Sequence, residues 1–190
     1  MSSELLSEKY LFDFSKIASV EDWYEVSDTV RSVGKSKGTF VLQKTSEFQR
    51  AIFFVLLNPQ PNGACFVGLN IDGPYDFTNF SGLEIKFRRQ AQNISIWKVL
   101  LKTSASVDRF TGYEQMFKAS KNNEDFETVK LKFADFHQMK NGEINPDGVL
   151  LDLGDIQSFG FQAFGGVYEE DISQRGPGTL EIDYVKLICE

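Results

Sequence analysis

The sequence predicts an all-β fold, a single antiparallel β-sandwich or jelly roll, on three observations. Apolar and polar residues alternate with a period of two over many short runs. Gly-, Pro- and Asn-rich turns punctuate those runs. Helix signals are almost absent. Eight to ten strands are expected, in one domain over residues 10–190 behind an N-terminal tail at 1–9.

Taken in order, "LFDFS" (11–15) opens the domain, and "SKIASVEDW" (15–23) reads as a short helical turn. "GTFVLQKT" (38–45) is strand-like. The "GKSKG" ahead of it lacks the G-x-x-x-x-G-K-[ST] spacing of a phosphate loop and reads as a hairpin between strands. "AIFFVLL" (51–57) does not alternate, as expected of a central strand covered on both faces. In "NPQPNG" (58–63) the prolines cannot donate to a ladder, and Asn62-Gly63 can supply positive φ. A stiff hairpin to the neighbouring strand is expected there. "GLEIKFRR" (82–89) and "TVKLKF" (128–133) alternate cleanly. "QNISIWKVLLKT" (92–103) is apolar on both faces, with Trp97 beside Ser95, Val99 and Leu101. "DLGDI" is a single turn before the strand "SFGFQAF" (158–164), and 165–178 is the longest loop. In "TLEIDYVKL" (179–187), Leu180, Ile182 and Tyr184 stand opposite Glu181 and Asp183, the look of a solvated sheet face.

The 190 residues are 42% apolar and 14% aromatic, with 18 Phe, enough for a real core. A net charge of −7 without a dense basic stripe argues against nucleic acid. No apolar run approaches the roughly 20 residues that a membrane span needs. "MSSELLSEKY" has no basic-then-apolar leader and is too acidic for a transit peptide, so a cytosolic, intracellular protein is expected. The sequons at Asn79 and Asn93 are then chance matches. Two cysteines make no disulfide framework, and Cys65 sits in an apolar run as a small core residue. The single histidine, His137, excludes multi-His metal and catalytic sets.

Acidic residues are plentiful, but no pair stands out as an acid/base couple, so neither catalysis nor a cofactor is expected. Asp13 and Asp183 could meet on neighbouring terminal strands, but no D-x-D-x-D cluster supports a metal. A sugar site needs exposed aromatic faces beside fixed polar groups. Trp97 is the best stacking candidate, although the two apolar faces of its strand favour a core position for it; Tyr75 is a rim aromatic beside Tyr113 and Tyr168. The polar strand faces carry Glu84, Lys86, Arg88, Lys130, Lys132 and Glu181, a pattern that suits protein contact or solvent better than a sugar platform. The natural contact loops for a protein partner are 31–38, 58–63 and 165–178, with Arg31, Lys35, Pro59, Pro61 and Tyr168 as candidate residues.

"LFDFS", Trp23, "DTVRSVGKSKGTF" (28–40), "NGACF" (62–66), "DFTNFSGLEIKFR" (76–88), "YEQMFKA" (113–119), "FETVKLKFADF" (126–136), "IQSFGF" (156–161) and "GTLEIDYVKLI" (178–188) occur in one order through most of the chain. Together they resemble the complex I intermediate-associated protein 30 domain, a galactose-binding-like β-sandwich. Arg31 stands where that family usually has Met, Ser32-Val33 replaces part of its Gly pair, and Phe126 stands where a Trp is common. The resemblance implies a non-enzymatic protein-binding module, a scaffold or assembly factor for a protein complex, with complex I assembly in the mitochondrion as its named setting. The alternative is a carbohydrate-binding module.

Overall fold

A computed structural model describes residues 8–90, 93–106, 111–120, 124–169 and 171–189. The described residues form thirteen strands. The first seven are β1 (Glu8–Asp13), β2 (Tyr24–Ser27), β3 (Lys37–Lys44), β4 (Gln49–Leu57), β5 (Phe66–Tyr75), β6 (Gly82–Arg89) and β7 (Ile96–Lys102). The rest are β8 (Thr111–Lys118), β9 (Glu127–Lys132), β10 (His137–Lys140), β11 (Glu143–Ile144), β12 (Ile156–Phe164) and β13 (Gly176–Ile188). Strand β1 takes in Glu8 and Lys9, two residues ahead of the expected domain boundary. The expected helical turn at 15–23 is a set of hydrogen-bonded turns after Asp13, and the helical content is two three-residue 3-10 turns, 28–30 and 133–135.

The strands form two antiparallel sheets. Sheet A has the order β3-β4-β13-β6-β9, with β1 also paired to β13. Sheet B has the order β11-β10-β8-β7-β12-β5-β2. Alternate residues of each sheet meet in the core: Phe53, Leu83, Ile85, Phe87 and Ile182 from one, Leu69, Trp97, Val99, Phe159 and Phe161 from the other. Phe14, Trp23, Phe40, Phe53 and Trp97 link the layers through ring contacts of 5.2–5.9 Å between Trp23 and Phe40, Phe14 and Phe40, and Phe53 and Trp97, with Phe40 to Phe53 at 6.4 Å.

Three expectations are corrected. Strand β4 does alternate: its outer residues Phe54 and Leu56 are apolar but face solvent, which hid the period. The 58–65 segment is no hairpin within a sheet, because β4 lies in sheet A and β5 in sheet B. It crosses between layers, as does 28–36 between β2 and β3, so "GKSKG" is not a hairpin either. Gly63 does take positive φ (84°) in the crossover. Third, β13 carries a register shift between Ile182 and Tyr184. One extra residue in a strand flips its faces. Leu180 and Ile182 point inward before the bulge; Val185 and Leu187 do so after it. Tyr184 therefore turns outward, and its hydroxyl donates to Glu84 Oε1 at 2.9 Å.

Glu181 is likewise no solvated residue. It is only 3% exposed and accepts from Arg88 Nε (2.6 Å), Gln90 Nε2 (2.9 Å) and Arg50 Nη1 (3.2 Å). The Arg50 and Arg88 guanidinium groups lie 4.4 and 4.8 Å from the Phe126 ring centre. Burial alone would raise the Glu181 pKa; these donors outweigh it and hold the carboxyl below its ordinary 4.5. A carboxyl with a lowered folded pKa stabilises the fold above its unfolded value and loses that contribution as pH falls through the folded one. The stability of the wild type against urea therefore falls as pH drops below about 4.5. In Glu181→Gln the protein is less stable at pH 7, and this part of the acid dependence is flattened.

Gln174 pegs the 165–175 loop to sheet B. Its buried amide accepts from the Ser95 and Ile96 N–H groups (2.8 and 2.9 Å) and donates to the Ile96 and Phe164 carbonyls (2.9 and 3.0 Å). Loss of a buried partner costs about 1–3 kcal/mol in desolvation of what it leaves unpaired. Gln174→Ala lowers the unfolding free energy by about 3 kcal/mol in denaturant titration, and amide exchange speeds up first at Ser95, Ile96 and the loop.

Candidate functional site

The outer face of sheet B forms a groove of about 510 Å³. Its floor follows from register, because residues directly opposite on antiparallel strands share a face. One row runs Tyr24–Asn70–Gly160–Leu100–Glu114, a second Val26–Gly68–Gln162–Lys98, and a third Asp72–Ser158–Lys102, with Gly112 of β8 close to Lys102. The glycines keep the floor low. A Cβ on Gly160 would sit 2.1 Å from Asn70 Oδ1 and 2.7 Å from the Leu69 carbonyl, so any side chain there would displace Asn70 and fill the groove.

The groove's fixed groups are tied to each other. Lys98, buried, donates to Glu114 Oε2 at 2.7 Å and lies 4.4 Å from the Phe164 ring centre. The Tyr24 hydroxyl donates to Asp72 Oδ1 at 2.8 Å. Burial, and then the Asp72 bond and charge, push the Tyr24 pKa up to about 12. Held in this way, the ring and its polar neighbours are positioned before any ligand arrives. At the far side Tyr168, 60% exposed, stands against the Asn141-Gly142 turn between β10 and β11, both residues of which have positive φ. The groove therefore offers two tyrosines, side-chain amides and hydroxyls over a low floor, suited to an extended polar ligand.

The three loops singled out in the sequence converge at one end of this groove. Asn58 N–H donates to Ser36 Oγ (2.9 Å), and Gly165 N–H donates to the Cys65 carbonyl (2.8 Å). Ser36 in turn gives its N–H and hydroxyl to the buried Asp28 carboxylate at 2.9 and 2.7 Å. Gly34 is needed there, since a Cβ would come within 2.0 Å of the Asp28 carbonyl oxygen. Cys65 is a core residue as expected; burial and then the charge of Asp28 push its thiol up to about 11.

Of the candidate residues, Arg31 and Tyr168 line the groove end, while Lys35 and Pro61 are exposed and Pro59 half-buried on the loops behind it. Trp97 is fully buried between the sheets, which removes it as a sugar-stacking residue. Tyr75 is half-buried against Phe12 and Phe77, with its hydroxyl on the Asp72 carbonyl, and lies outside the groove lining. Tyr113 is core too. Asp13 and Asp183 do lie on paired strands, but they are held by Lys16 and Lys86. Among the described residues no group of three or more His, Cys, Asp and Glu could hold a metal. Sequence reasoning missed Tyr24, Asn70, Asp72, Lys98, Glu114 and Gln162. The signal was present in β5 and β12, where Gly and uncharged polar residues alternate with core residues, in contrast to the charged alternation of β6 and β9.

A family model described as Complex I intermediate-associated protein 30 (CIA30) matches residues 12–182. The chain belongs to the CIA30 family. Among solved structures it is similar to the Family 11 Carbohydrate-Binding Module from Clostridium thermocellum in complex with a beta-1,3-1,4-mixed-linked tetrasaccharide. That pair has 16% identity and a TM-score of 0.67, over 96% of this chain and 95% of that one. It is also similar to a Family 30 Carbohydrate Binding Module (11% identity, TM-score 0.57, 95% and 98% covered). A third likeness is to the agarase AgWH50C (10%, 0.60), where 97% of this chain matches 25% of the other. At these identities the likeness shows the β-sandwich fold. A comparison with curated proteins returns no match.

The CIA30-like segment 28–40 now divides by role. Asp28, Gly34 and Ser36 build the internal clamp, whereas Arg31, a departure from the usual family residue, faces the groove end. Phe126, in place of the common Trp, still gives an aromatic face to Arg50 and Arg88. Asp72→Asn removes the charge beside Tyr24, so the Tyr24 pKa falls from about 12 toward 10, read by NMR of ring-labelled tyrosine across a pH titration.

Proposed function

We propose that this CIA30-family chain is a non-enzymatic binding module that serves as a scaffold or assembly factor for a protein complex. The complex I assembly role that the family name carries, and with it a mitochondrial setting, is the concrete form of this reading. The observation that carries it is the convergence of the 28–36, 58–65 and 165–175 loops. They gather Val30, Arg31, Val167 and Tyr168 at the end of the groove, all of them lining it. Val33, Val167 and Tyr168 are 56%, 44% and 60% exposed. Exposed apolar side chains grouped around an Arg and a Tyr are the make-up of protein contacts, where such residues supply most of the binding energy.

A second reading is favoured by one specific feature, the Tyr24 ring fixed by Asp72 beside Asn70, Ser158 and Gln162. An aromatic face with directional amides and hydroxyls is what a saccharide requires. The neighbouring folds are carbohydrate-binding modules, in keeping with this alternative.

Affinity purification of the tagged full chain, with mass spectrometry and imaging, tests the first reading. The wild type is expected to bring down complex I subunits or assembly factors, and Arg31→Glu with Tyr168→Ala to lose at least tenfold of them. A chain that emerges alone from its native source would sink it. Calorimetry with soluble mixed-linkage β-glucan separates the second reading: heat that vanishes in Tyr24→Ala supports a saccharide, and silence removes it. Intrinsic fluorescence is a poor probe here because Trp23 and Trp97 are both buried.

A further inference from the structure

Strand β3 ends sheet A and pairs with β4 alone among the described residues. None of the described loop hydrogen bonds reaches residues 37–44. An edge eight residues long therefore presents its outward N–H and C=O groups, a template on which another strand can add.

The outer face beside this edge is apolar. Cross-strand register gives the rows Lys37–Leu56–Pro177 and Thr39–Phe54–Thr179, followed by Val41–Ile52. Val41, Phe54 and Leu56 are 38%, 41% and 42% exposed. Each alone would be ordinary. Adjacent on neighbouring strands, at an unpaired edge, they form one strip. Cations flank the edge itself, Lys37 on the face of the strip and Lys44 on the opposite one. Lys37 and Lys44 end the strand, Lys35 precedes it, all three are exposed, and none has an ion-pair partner among the described residues. The chain as a whole carries −7, so this edge is locally opposite in sign.

We propose that the β3 edge takes up an extended acidic segment of a partner protein. That segment is a strand of about eight residues, matched to the edge, with carboxylates at both ends and β-branched or apolar residues between. Side chains directly opposite across a strand pair lie about 5 Å apart, so end carboxylates meet Lys37 and Lys44 while the middle extends the Val41–Phe54 strip. A second copy is a poor occupant, because antiparallel β3–β3 pairing brings the Lys37 end of one chain beside the Lys44 end of the other, cation against cation. Edge lysines also repel strands in general. The sign of the incoming strand distinguishes docking from mere repulsion. The proposal rests on the protein-binding reading above and names a surface and a partner chemistry for it.

The probe is a fluorescein-labelled peptide, Glu-Val-Thr-Ile-Thr-Val-Thr-Glu, with blocked ends, and a twin carrying lysine at both ends. Each is titrated with the full chain by fluorescence anisotropy. The acidic peptide is expected to bind at least tenfold more tightly than its twin and to slow amide exchange across residues 37–44. Lys37→Glu with Lys44→Glu should reverse the preference, while Leu56→Asp weakens both peptides. Equal affinities, no binding, protection elsewhere than 37–44, or a dimer that itself protects β3 would each overturn the proposal. Partner purification separates the two levels. If the Lys37→Glu, Lys44→Glu chain still retains its partner, the β3 site falls and the binding-module reading stands. If the wild type binds the peptide but emerges alone, the module reading falls instead.

Discussion

Sheet A depends on β13. It bonds to β4 along Gly176–Ile182, to β1 along Tyr184–Ile188, and to β6 over most of its length. A straight strand could not serve all three. Were β13 to alternate regularly through Ile182–Tyr184, Val185 and Leu187 would face water, and the end of the strand that carries β1 would have no inner face. The same bulge leaves Glu181 and Asp183 on the outer side, where Arg50, Arg88 and Lys86 gather.

The two outer faces of the sandwich then differ in kind. Over β13 and β6, sheet A closes on itself: its buried carboxylate is satisfied by guanidinium groups that pack on Phe126, and little is left to offer a ligand. Sheet B has Gly68 and Gly160 in its cross-strand rows, with Asn70, Ser158 and Gln162 around them, so its outer face stays hollow. The clamp of Asp28, Ser36 and Asn58 fixes the loops at the mouth of that hollow. This sandwich thus uses the β13–β6 face of sheet A for internal cohesion and leaves the outer face of sheet B hollow.

Much of the fold was legible because two-residue alternation is local. Strands β6, β9 and β12 read directly from their sequence. What was not legible was which sheet each strand joins. Asn62-Gly63 and Asn141-Gly142 are the same dipeptide, yet the second closes a two-residue hairpin and the first sits in a crossover. Nothing local separates them; layer assignment is decided by the whole packing. The β13 bulge and the solvent-facing Phe54 and Leu56 broke the period in the same way. At the candidate site the loops were found from their turn chemistry. The groove was missed because its residues come from β2, β5, β7, β8 and β12, whose adjacency is a matter of pairing. Trp97 stayed open between core and stacking because a large aromatic in a strand apolar on both faces has no local mark of which way it points; its burial bears out the core reading.

Glu8 pairs with Ile188, so the two described ends of the chain lie side by side. They sit at one end of β13, whereas the convergent loops adjoin Gly176 at the other, thirteen residues and about 40 Å away. The fold is therefore arranged like a plug with both leads at its back: Glu8 and Ile188 share the end of the sandwich remote from the groove mouth.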